Sequence, residues 1–234
     1  MKLSPRLCRL AQEVPMGARF ADVGTDHGFL PVRLLQTGKI RYAIATDIRS
    51  GPLERARETA RRFDRSAQIS FRLCDGLSGI PPDEVDTVAI AGMGGETIAA
   101  ILKAAPWAGK ENHLFLLQPM SSIPELRLWL QEHDFSIQKE DIVSEGRTYY
   151  VVMIVRGGSM PPLSAGERWA GRQWQGMQAP LRGEYLDDLA RRVQRALAGL
   201  AQSESPESPA KQAELSAVAA DLDRMKKEWQ AWQR

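Results

Sequence analysis

The sequence contains few residues suited to metal binding or to cross-linking. Its 234 residues include two cysteines, Cys8 and Cys74, which lack the close spacing of a zinc site and are too few for a disulfide framework. The three histidines are likewise scattered along the chain. We therefore expect no metal, two reduced thiols, and a buried Cys74 side chain.

Long apolar runs are also missing. No stretch approaches the roughly 18 consecutive apolar residues that a membrane span needs. The charged start, residues 1–6, is not followed by the apolar core of a secretory signal. The sequence thus predicts a cytoplasmic protein without a membrane partner.

Positive charge is concentrated in the first third of the chain. The net charge is only +2, but residues 1–72 carry 14 Lys and Arg against 7 Asp and Glu, whereas residues 73–163 carry 6 against 12. Much of the excess comes from six arginines: Arg49, Arg55, Arg57, Arg61, Arg62 and Arg65. A basic face attracts the phosphate backbone of nucleic acids. The alternative is a solvated helix face, and charge alone does not decide between them.

Apolar, β-rich runs alternate with helical segments over the first 155 residues. Predicted strands cover 19–23, 42–47, 69–73, 87–91, 113–117, 136–143 and 148–155. Predicted helices cover 29–37, 51–63, 96–105 and 122–132. This alternation predicts a doubly wound, mostly parallel α/β sheet. Only a short turn joins the last two strands, so they must pair antiparallel. A parallel sheet with an antiparallel final hairpin is typical of Rossmann-like class I methyltransferases rather than of dehydrogenases.

A second, helical domain follows. The composition of residues 157–162, GGSMPP, predicts a linker, which divides the chain into domains 1–158 and 159–234. Two apolar stripes with helical spacing lie beyond it, at residues 186–200 and 215–232, separated by a turn at 203–209. They predict an antiparallel, coiled-coil-like helical hairpin.

The loop after the first strand suggests a cationic ligand. In an open α/β sheet, ligands lie beyond the carboxyl ends of the strands, at the switch point near the first strand. The loop there, residues 22–28, has Gly24 and Gly28 but lacks the third glycine with which a dinucleotide pyrophosphate is bound. Asp22 and Asp26 would repel phosphate and suit a cofactor that carries an ammonium and a sulfonium group. The alternative is a tight turn without a ligand.

Acidic residues and glycines also mark the ends of the following strands. Asp47 ends the second strand, where a carboxylate can accept hydrogen bonds from ribose hydroxyls. Asp75 follows the third strand, within reach of an adenine amino group. The glycines of residues 91–95, AGMGG, remove side chains where a flat base must approach a methyl donor. Gln118 and Pro119 would line the same crevice.

These motifs resemble a known family. Residues 22–31 (DVGTDHGFLP), 91–95 (AGMGG) and Gln118-Pro119 resemble the bacterial tRNA (adenine(22)-N1)-methyltransferases, the TrmK family. The resemblance covers about residues 1–155, and the helical hairpin is similar to the second domain of that family. It implies an S-adenosylmethionine-dependent enzyme that methylates N1 of an adenine in the D-arm region of tRNA.

The resemblance also implies a set of site residues. The cofactor residues are Asp22, Gly24, Thr25, Asp26, Asp47, Ile48, Asp75, Gly76 and Gly92. The substrate residues are Phe29, Met93, Gly94, Gln118 and Pro119. At Phe29 relatives often carry tyrosine, so a hydroxyl contact is lost, although a ring that can stack on a base remains.

The expected chemistry depends mainly on positioning. Adenine N1 carries an in-plane lone pair, so a strong general base is not required, and orientation supplies most of the rate. The nucleotide must be unpaired or flipped out to meet the donor. Asp26 and His27 are the candidate catalytic residues, acting on the base or its amino proton. Otherwise His27 is a loop-capping histidine.

Several alternatives remain at this point. The chain could methylate another RNA base or a small molecule, or could be a non-catalytic RNA-binding protein with the same fold. An NAD-dependent oxidoreductase is disfavoured by the missing glycine and the acidic loop. The helical hairpin could be a packing or dimerisation element, or could bind tRNA through basic residues: Arg191, Arg192, Arg195, Lys226 and Lys227.

Overall fold

A computed structural model describes residues 1–110, 112–203 and 205–233. One sheet of seven strands has the order β3-β2-β1-β4-β5-β7-β6. The strands are β1 Phe20–Val23, β2 Ala43–Asp47, β3 Ile69–Leu73, β4 Thr87–Gly94, β5 Leu114–Ser121, β6 Phe135–Glu145 and β7 Thr148–Gly157. The helices are α1 Pro5–Glu13, α2 Phe29–Gln36, α3 Ser50–Arg62, α4 Gly95–Lys103, α5 Ile123–Glu132, α6 Ala165–Ala170, α7 Arg182–Leu200 and α8 Ser208–Trp232.

The predicted sheet type is confirmed. Strands β1 to β5 pair in parallel, and β7 pairs antiparallel with both β5 and β6. The order of strands changes direction at β1, between β2 and β4. The carboxyl ends of β1, β2 and β4 therefore meet at one edge of the sheet, where ligands bind in such folds.

Four strands are longer than predicted, namely β4, β5, β6 and β7. The predicted ends of β4 at residue 91 and of β5 at residue 117 are wrong, because β4 continues to Gly94 and β5 continues to Ser121. Pro119 is tolerated because the β4–β5 ladder shifts register there, where Met93 pairs with Pro119. Proline is expected in sheets only at edges or at such irregularities.

Two helices were not predicted. Helix α1 begins with a proline, which suits the first turn of a helix, and it buries Leu10 in the core. Helix α6 is only six residues long and has a capping box between Ser164 and Glu167. Helix α6 is too short for a clear periodic signal. Helix α1 does carry such a signal, because Leu7, Leu10, Ala11 and Val14 recur at helical spacing after Ser4 and Pro5.

The prediction that Cys74 is buried is also wrong. It is only half-buried, and Leu73 before it is 63% exposed. The reason is the position of β3 at the edge of the sheet, with β2 as its only neighbour. Both Cys8 and Cys74 are free thiols.

The chain divides into two compact units. The first contains residues 1–122 and 129–160, and the second contains 123–128 and 161–234. Within the second unit, the Arg127 guanidinium donates at 2.8 Å to the carbonyl oxygens of Arg168 and Trp169. Part of the predicted turn at 203–209 lies outside the described residues, at Glu204. The coiled-coil-like period of α7 and α8 stays a prediction.

The described residues include neither a membrane-spanning helix nor a metal-binding cluster. No helix among them is both long enough and apolar enough to cross a membrane. Over the same ranges, no group of three or more His, Cys, Asp or Glu side chains is placed to hold a metal ion.

Candidate active site

The loop after β1 is held firmly against β2. The backbone N–H groups of Gly24 and Thr25 both donate to the carbonyl oxygen of Thr46 at 2.9 Å. The Thr25 hydroxyl donates to Oδ2 of buried Asp22 at 2.6 Å. Gly24 has φ +70°, which favours glycine. These hydrogen bonds hold the loop in one conformation, in which the Asp22 side chain is buried.

Asp22 is buried in an environment that disfavours its charge. Burial raises its pKa, the Thr25 hydroxyl bond lowers it, and the negative charge of Asp47 raises it further, giving a pKa of about 6. A cation bound beside Asp22 would favour the ionised form instead. The two carboxylates thus make this part of the crevice attractive to a positively charged group.

The ends of β2 and β3 present polar and apolar groups together. Oδ1 of buried Asp47 accepts from the backbone N–H of Arg49 at 3.0 Å, which leaves further acceptor capacity on the carboxylate. Ile48, next in the chain, is 62% exposed. Asp75 is exposed, and Gly76 has a positive φ. A sugar could meet Asp47 here, and a flat ring could meet Ile48.

The end of β4 is open and tied to β5 by a buried amide. Oε1 of Gln118 accepts from the backbone N–H of Gly92 at 3.2 Å, and its Nε2 donates to the carbonyl of Pro119 at 2.9 Å. Gln118 is fully buried and Pro119 is buried, so the Gln118 side chain shapes the loop instead of facing the crevice. A Cβ added to Gly92 would meet no atom within 4 Å.

Met93 lies across the first loop. A Cβ built on Gly24 would come within 2.0 Å of the terminal methyl carbon of Met93. Only glycine is therefore compatible with this position of the Met93 side chain. The contact shows that the predicted cofactor loop and the predicted substrate loop, which includes Gly94, are immediate neighbours.

The two candidate catalytic residues lie at the mouth of the crevice. Asp26 has φ +48°, rare for a residue with a side chain, and its Oδ1 accepts from Nη2 of Arg55 at 2.6 Å. Nε2 of His27 lies 3.7 Å from Oδ2 of Asp26. The His27 ring stacks on Phe29 with centroids 5.1 Å apart and planes 9° from parallel. Phe29 is 40% exposed, so the pair offers an aromatic surface.

Sequence reasoning missed the role of Arg55 toward Asp26. The sequence indicates Arg55 only as one member of the basic run, because the two residues are 29 positions apart. Other arginines of that run are occupied differently. Arg57 pairs with Glu54 and stacks over Phe71, and Arg61 lies 3.9 Å from Glu54.

The basic residues of the hairpin are also partly neutralised. Arg191 pairs with Asp188, Lys226 with Asp187, and Lys227 with Asp223. Arg192 and Arg195 are exposed, and no carboxylate pairs with either within the described part of the chain. These two arginines are the hairpin cations with the most capacity for an external anion.

The chain is similar to known methyltransferases. Residues 3–153 match the methyltransferase domain family. The tRNA (adenine(22)-N(1))-methyltransferase of Bacillus subtilis is 37% identical over 160 residues, which cover 68% of this chain and 66% of that protein, just under two thirds.

Two solved structures are similar over nearly their whole length. A protein of the NADB-Rossmann superfamily from Streptococcus agalactiae has a TM-score of 0.84 and 32% identity, covering 97% of this chain and 98% of that one. A Streptococcus pneumoniae protein in complex with S-adenosyl-L-methionine has a TM-score of 0.78 and 32% identity, covering 93% and 100%.

Proposed function

Because the chain belongs to the TrmK family of methyltransferases, we propose that it transfers a methyl group from S-adenosylmethionine to N1 of an adenine in tRNA. The observation that carries this proposal is the buried Asp22 beside Asp47 at the switch point of the sheet. This pair suits a ligand that combines an ammonium group with a ribose. A dinucleotide would instead place its phosphates against Asp22 and Asp26, the two carboxylates of the loop after β1.

The residues present fit the cofactor. Asp22, Gly24 and Thr25 would hold its amino acid part, with Asp26 at the outer side of the same loop. Asp47 would bind the ribose hydroxyls, and the adenine would lie between Ile48 and the loop that contains Asp75 and Gly76. The open space at Gly92 leaves room beside the reacting group. When bound, S-adenosylmethionine supplies an electrophilic methyl group on a sulfonium.

The chain's own residues would act on the adenine. The His27–Phe29 pair offers a surface on which the flipped base can stack, a contact worth about 1–3 kcal/mol. The Asp26 carboxylate can accept a hydrogen bond from the exocyclic amino group. Methylation at N1 leaves a positive charge on the ring, and Asp26 would stabilise it or accept the amino proton. Met93 and Gly94 would border the base on the β4 side.

The direct test is methylation of a defined RNA. The purified protein is incubated with labelled S-adenosylmethionine and an unmodified tRNA transcript, and the methylated nucleotide is mapped. A matched transcript with guanine at the target adenine serves as the control. We expect N1-methyladenosine at one position of the first transcript only. Methylation of another base, or cofactor binding without any RNA methylation, would contradict the proposal.

A further inference from the structure

A second group of residues lies where the carboxyl ends of the parallel strands form the crevice, next to β5 and β7. Nη1 of Arg6 donates to the sulfur of Met120 at 3.5 Å, and the Arg6 guanidinium lies 5.2 Å from the centre of the Tyr150 ring. Met120 is 45% exposed. We name Arg6, Met120 and Tyr150 the β5-side cluster.

The β5-side cluster borders the crevice. Met93, whose methyl carbon lies over Gly24, pairs with Pro119, and Met120 is the next residue of β5. Strand β7 runs antiparallel to β5, with Leu117 opposite Met153. If this register is continued beyond the paired residues, Tyr150 lies opposite Met120. A continuous series of contacts therefore leads from the cofactor loop to Arg6.

The Arg6 guanidinium has unused hydrogen-bonding capacity. Arginine has five N–H donors, and within the described ranges those of Arg6 meet only a thioether sulfur and an aromatic face. Glu145 is close, but its Oε1 accepts from the backbone N–H of Arg6. Arg55, on the other side of the crevice, is by contrast already paired with Asp26.

We propose that Arg6 binds an RNA phosphate next to the adenosine that is methylated, with Tyr150 and Met120 holding the guanidinium in place. The inference rests on the proposed function, and it names the residue that fixes the backbone on the β5 side. A guanidinium matches the planar, bidentate geometry of phosphate oxygens. Stacking on an aromatic ring orients it without neutralising its charge. The base would then lie between Arg6 and the His27–Phe29 pair.

The test compares three variants of the full chain. Arg6→Met removes the charge and keeps an unbranched stem against Tyr150, whereas Arg6→Lys keeps the charge. Arg41→Met is the matched control, because Arg41 is exposed just before β2, at the opposite edge of the sheet. Thermal unfolding and affinity for S-adenosylhomocysteine establish that each variant is folded with an intact cofactor site.

We expect Arg6→Met to raise the KM for tRNA about tenfold, the scale of one charged hydrogen bond, with little change in kcat. The slope of log Kd against log salt, measured between about 50 and 200 mM, should fall by about 1. Arg6→Lys should keep the slope. A KM and a slope in Arg6→Met equal to those of Arg41→Met would overturn the inference.

A second measurement uses the unaltered protein. Replacing the phosphates that flank the target adenosine one at a time by uncharged methylphosphonates should raise the KM at one position. The same replacement should have little further effect in Arg6→Met, because the two changes remove one contact. Fully additive effects at every position would overturn the inference. If the unaltered protein methylates no tRNA, the proposed function fails. If the unaltered protein methylates tRNA but Arg6→Met behaves like Arg41→Met, only the inference about Arg6 fails.

Discussion

Arg55 donates to Asp26 at 2.6 Å and thereby ties the basic helix α3 to the loop that carries both candidate catalytic residues. Asp26 is held in a left-handed conformation that residues with side chains rarely adopt. Nε2 of His27 lies 3.7 Å from the other oxygen of the same carboxylate, so Arg55 and His27 both adjoin Asp26.

Replacement of Arg55 should affect catalysis more than stability. Both partners are about half exposed, and exposed ion pairs contribute only about 0–1 kcal/mol, so Arg55→Gln should unfold nearly as the unaltered protein does. At saturating tRNA we expect kcat to fall about tenfold, because small misplacements of a reacting group are costly. Arg61→Gln, on the same helix, is the control. An unchanged kcat would show that Asp26 needs no support from α3.

The pKa of Asp22 predicts a pH-dependent affinity for the cofactor. The free protein has a carboxyl with a pKa of about 6, and only its ionised form attracts an ammonium group. Affinity for S-adenosylhomocysteine should be constant above pH 7 and should fall below pH 6, by up to about tenfold per pH unit. Calorimetry across this range tests it. Asp22→Asn should bind weakly without this dependence, whereas Asp75→Asn should retain it.

The raised pKa of Asp22 also predicts a pH dependence of folding stability, opposite in direction to that of cofactor affinity. Its pKa in the folded protein is above the ordinary value of 3.8, so the folded state binds the proton more tightly than the unfolded state does. The stability of the free protein should therefore decrease as the pH rises from about 4 to 6, by up to about 3 kcal/mol. Asp22→Asn should be more stable than the unaltered protein at pH 7. Equal denaturation midpoints would contradict a buried, destabilised charge.

Loss of the Asp47 carboxylate should weaken cofactor binding directly. Asp47→Ala removes the acceptor proposed for the ribose, and hydrogen bonds to a charged group are worth about 1.5–3 kcal/mol. The dissociation constant for S-adenosylhomocysteine should rise accordingly. Asp83→Ala, in the loop before β4, is the control. An unaltered affinity in Asp47→Ala would mean that the ribose is bound elsewhere.

The buried amide of Gln118 should matter for both folding and binding. Gln118→Leu removes the acceptor of the backbone N–H of Gly92, at the end of β4. Because Gly92 is exposed, water can replace this acceptor, so the loss is that of a typical hydrogen bond, about 0.5–1.5 kcal/mol. We expect a lower denaturation midpoint and a weaker affinity for S-adenosylhomocysteine. A variant with the stability and affinity of the unaltered protein would show that Gln118 does not hold Gly92.

The sheet could be predicted from the sequence because its signals are local. Each strand is a short apolar run, and glycines or aspartates mark the ends of those that border the crevice. The loop between β6 and β7 is too short for any pairing other than antiparallel. The partners of the predicted site residues could not be predicted in this way, because these contacts join residues that are far apart in the sequence. Arg55 meets Asp26 and Gln118 meets Gly92 only after the sheet has formed.

The extent of β4 and β5 could not be predicted for a related reason. Glycine and proline usually end strands, and residues 91–95 and Pro119 were interpreted in that way. In the structure residues 91–94 and Pro119 stay in the sheet, at the point where the β4–β5 pairing shifts register. Gly92 and Met93 are therefore part of β4, at the carboxyl end of the strand that borders the crevice.

The hairpin residues Arg192 and Arg195 lie three positions apart and hence on one face of α7. Carboxylates neutralise three of the other hairpin cations, so we expect any tRNA contact by the hairpin to depend on these two. The double variant Arg192→Gln/Arg195→Gln should lower the salt dependence of tRNA binding by about 2 in slope and leave the affinity for S-adenosylhomocysteine unchanged. Lys227→Gln, at a paired lysine, is the control.

Charge variants are a sharper test of the hairpin than its removal. A chain that ends near Ser159 would lack the carbonyl groups of Arg168 and Trp169, to which the buried guanidinium of Arg127 donates. Residues 123–128 belong to the same compact unit as residues 161–234, so the truncated protein would lose this packing and should unfold more easily whatever the hairpin does. If the double variant binds tRNA with the slope of the unaltered protein, the hairpin does not hold RNA through these arginines. Sedimentation analysis would then test self-association as its role.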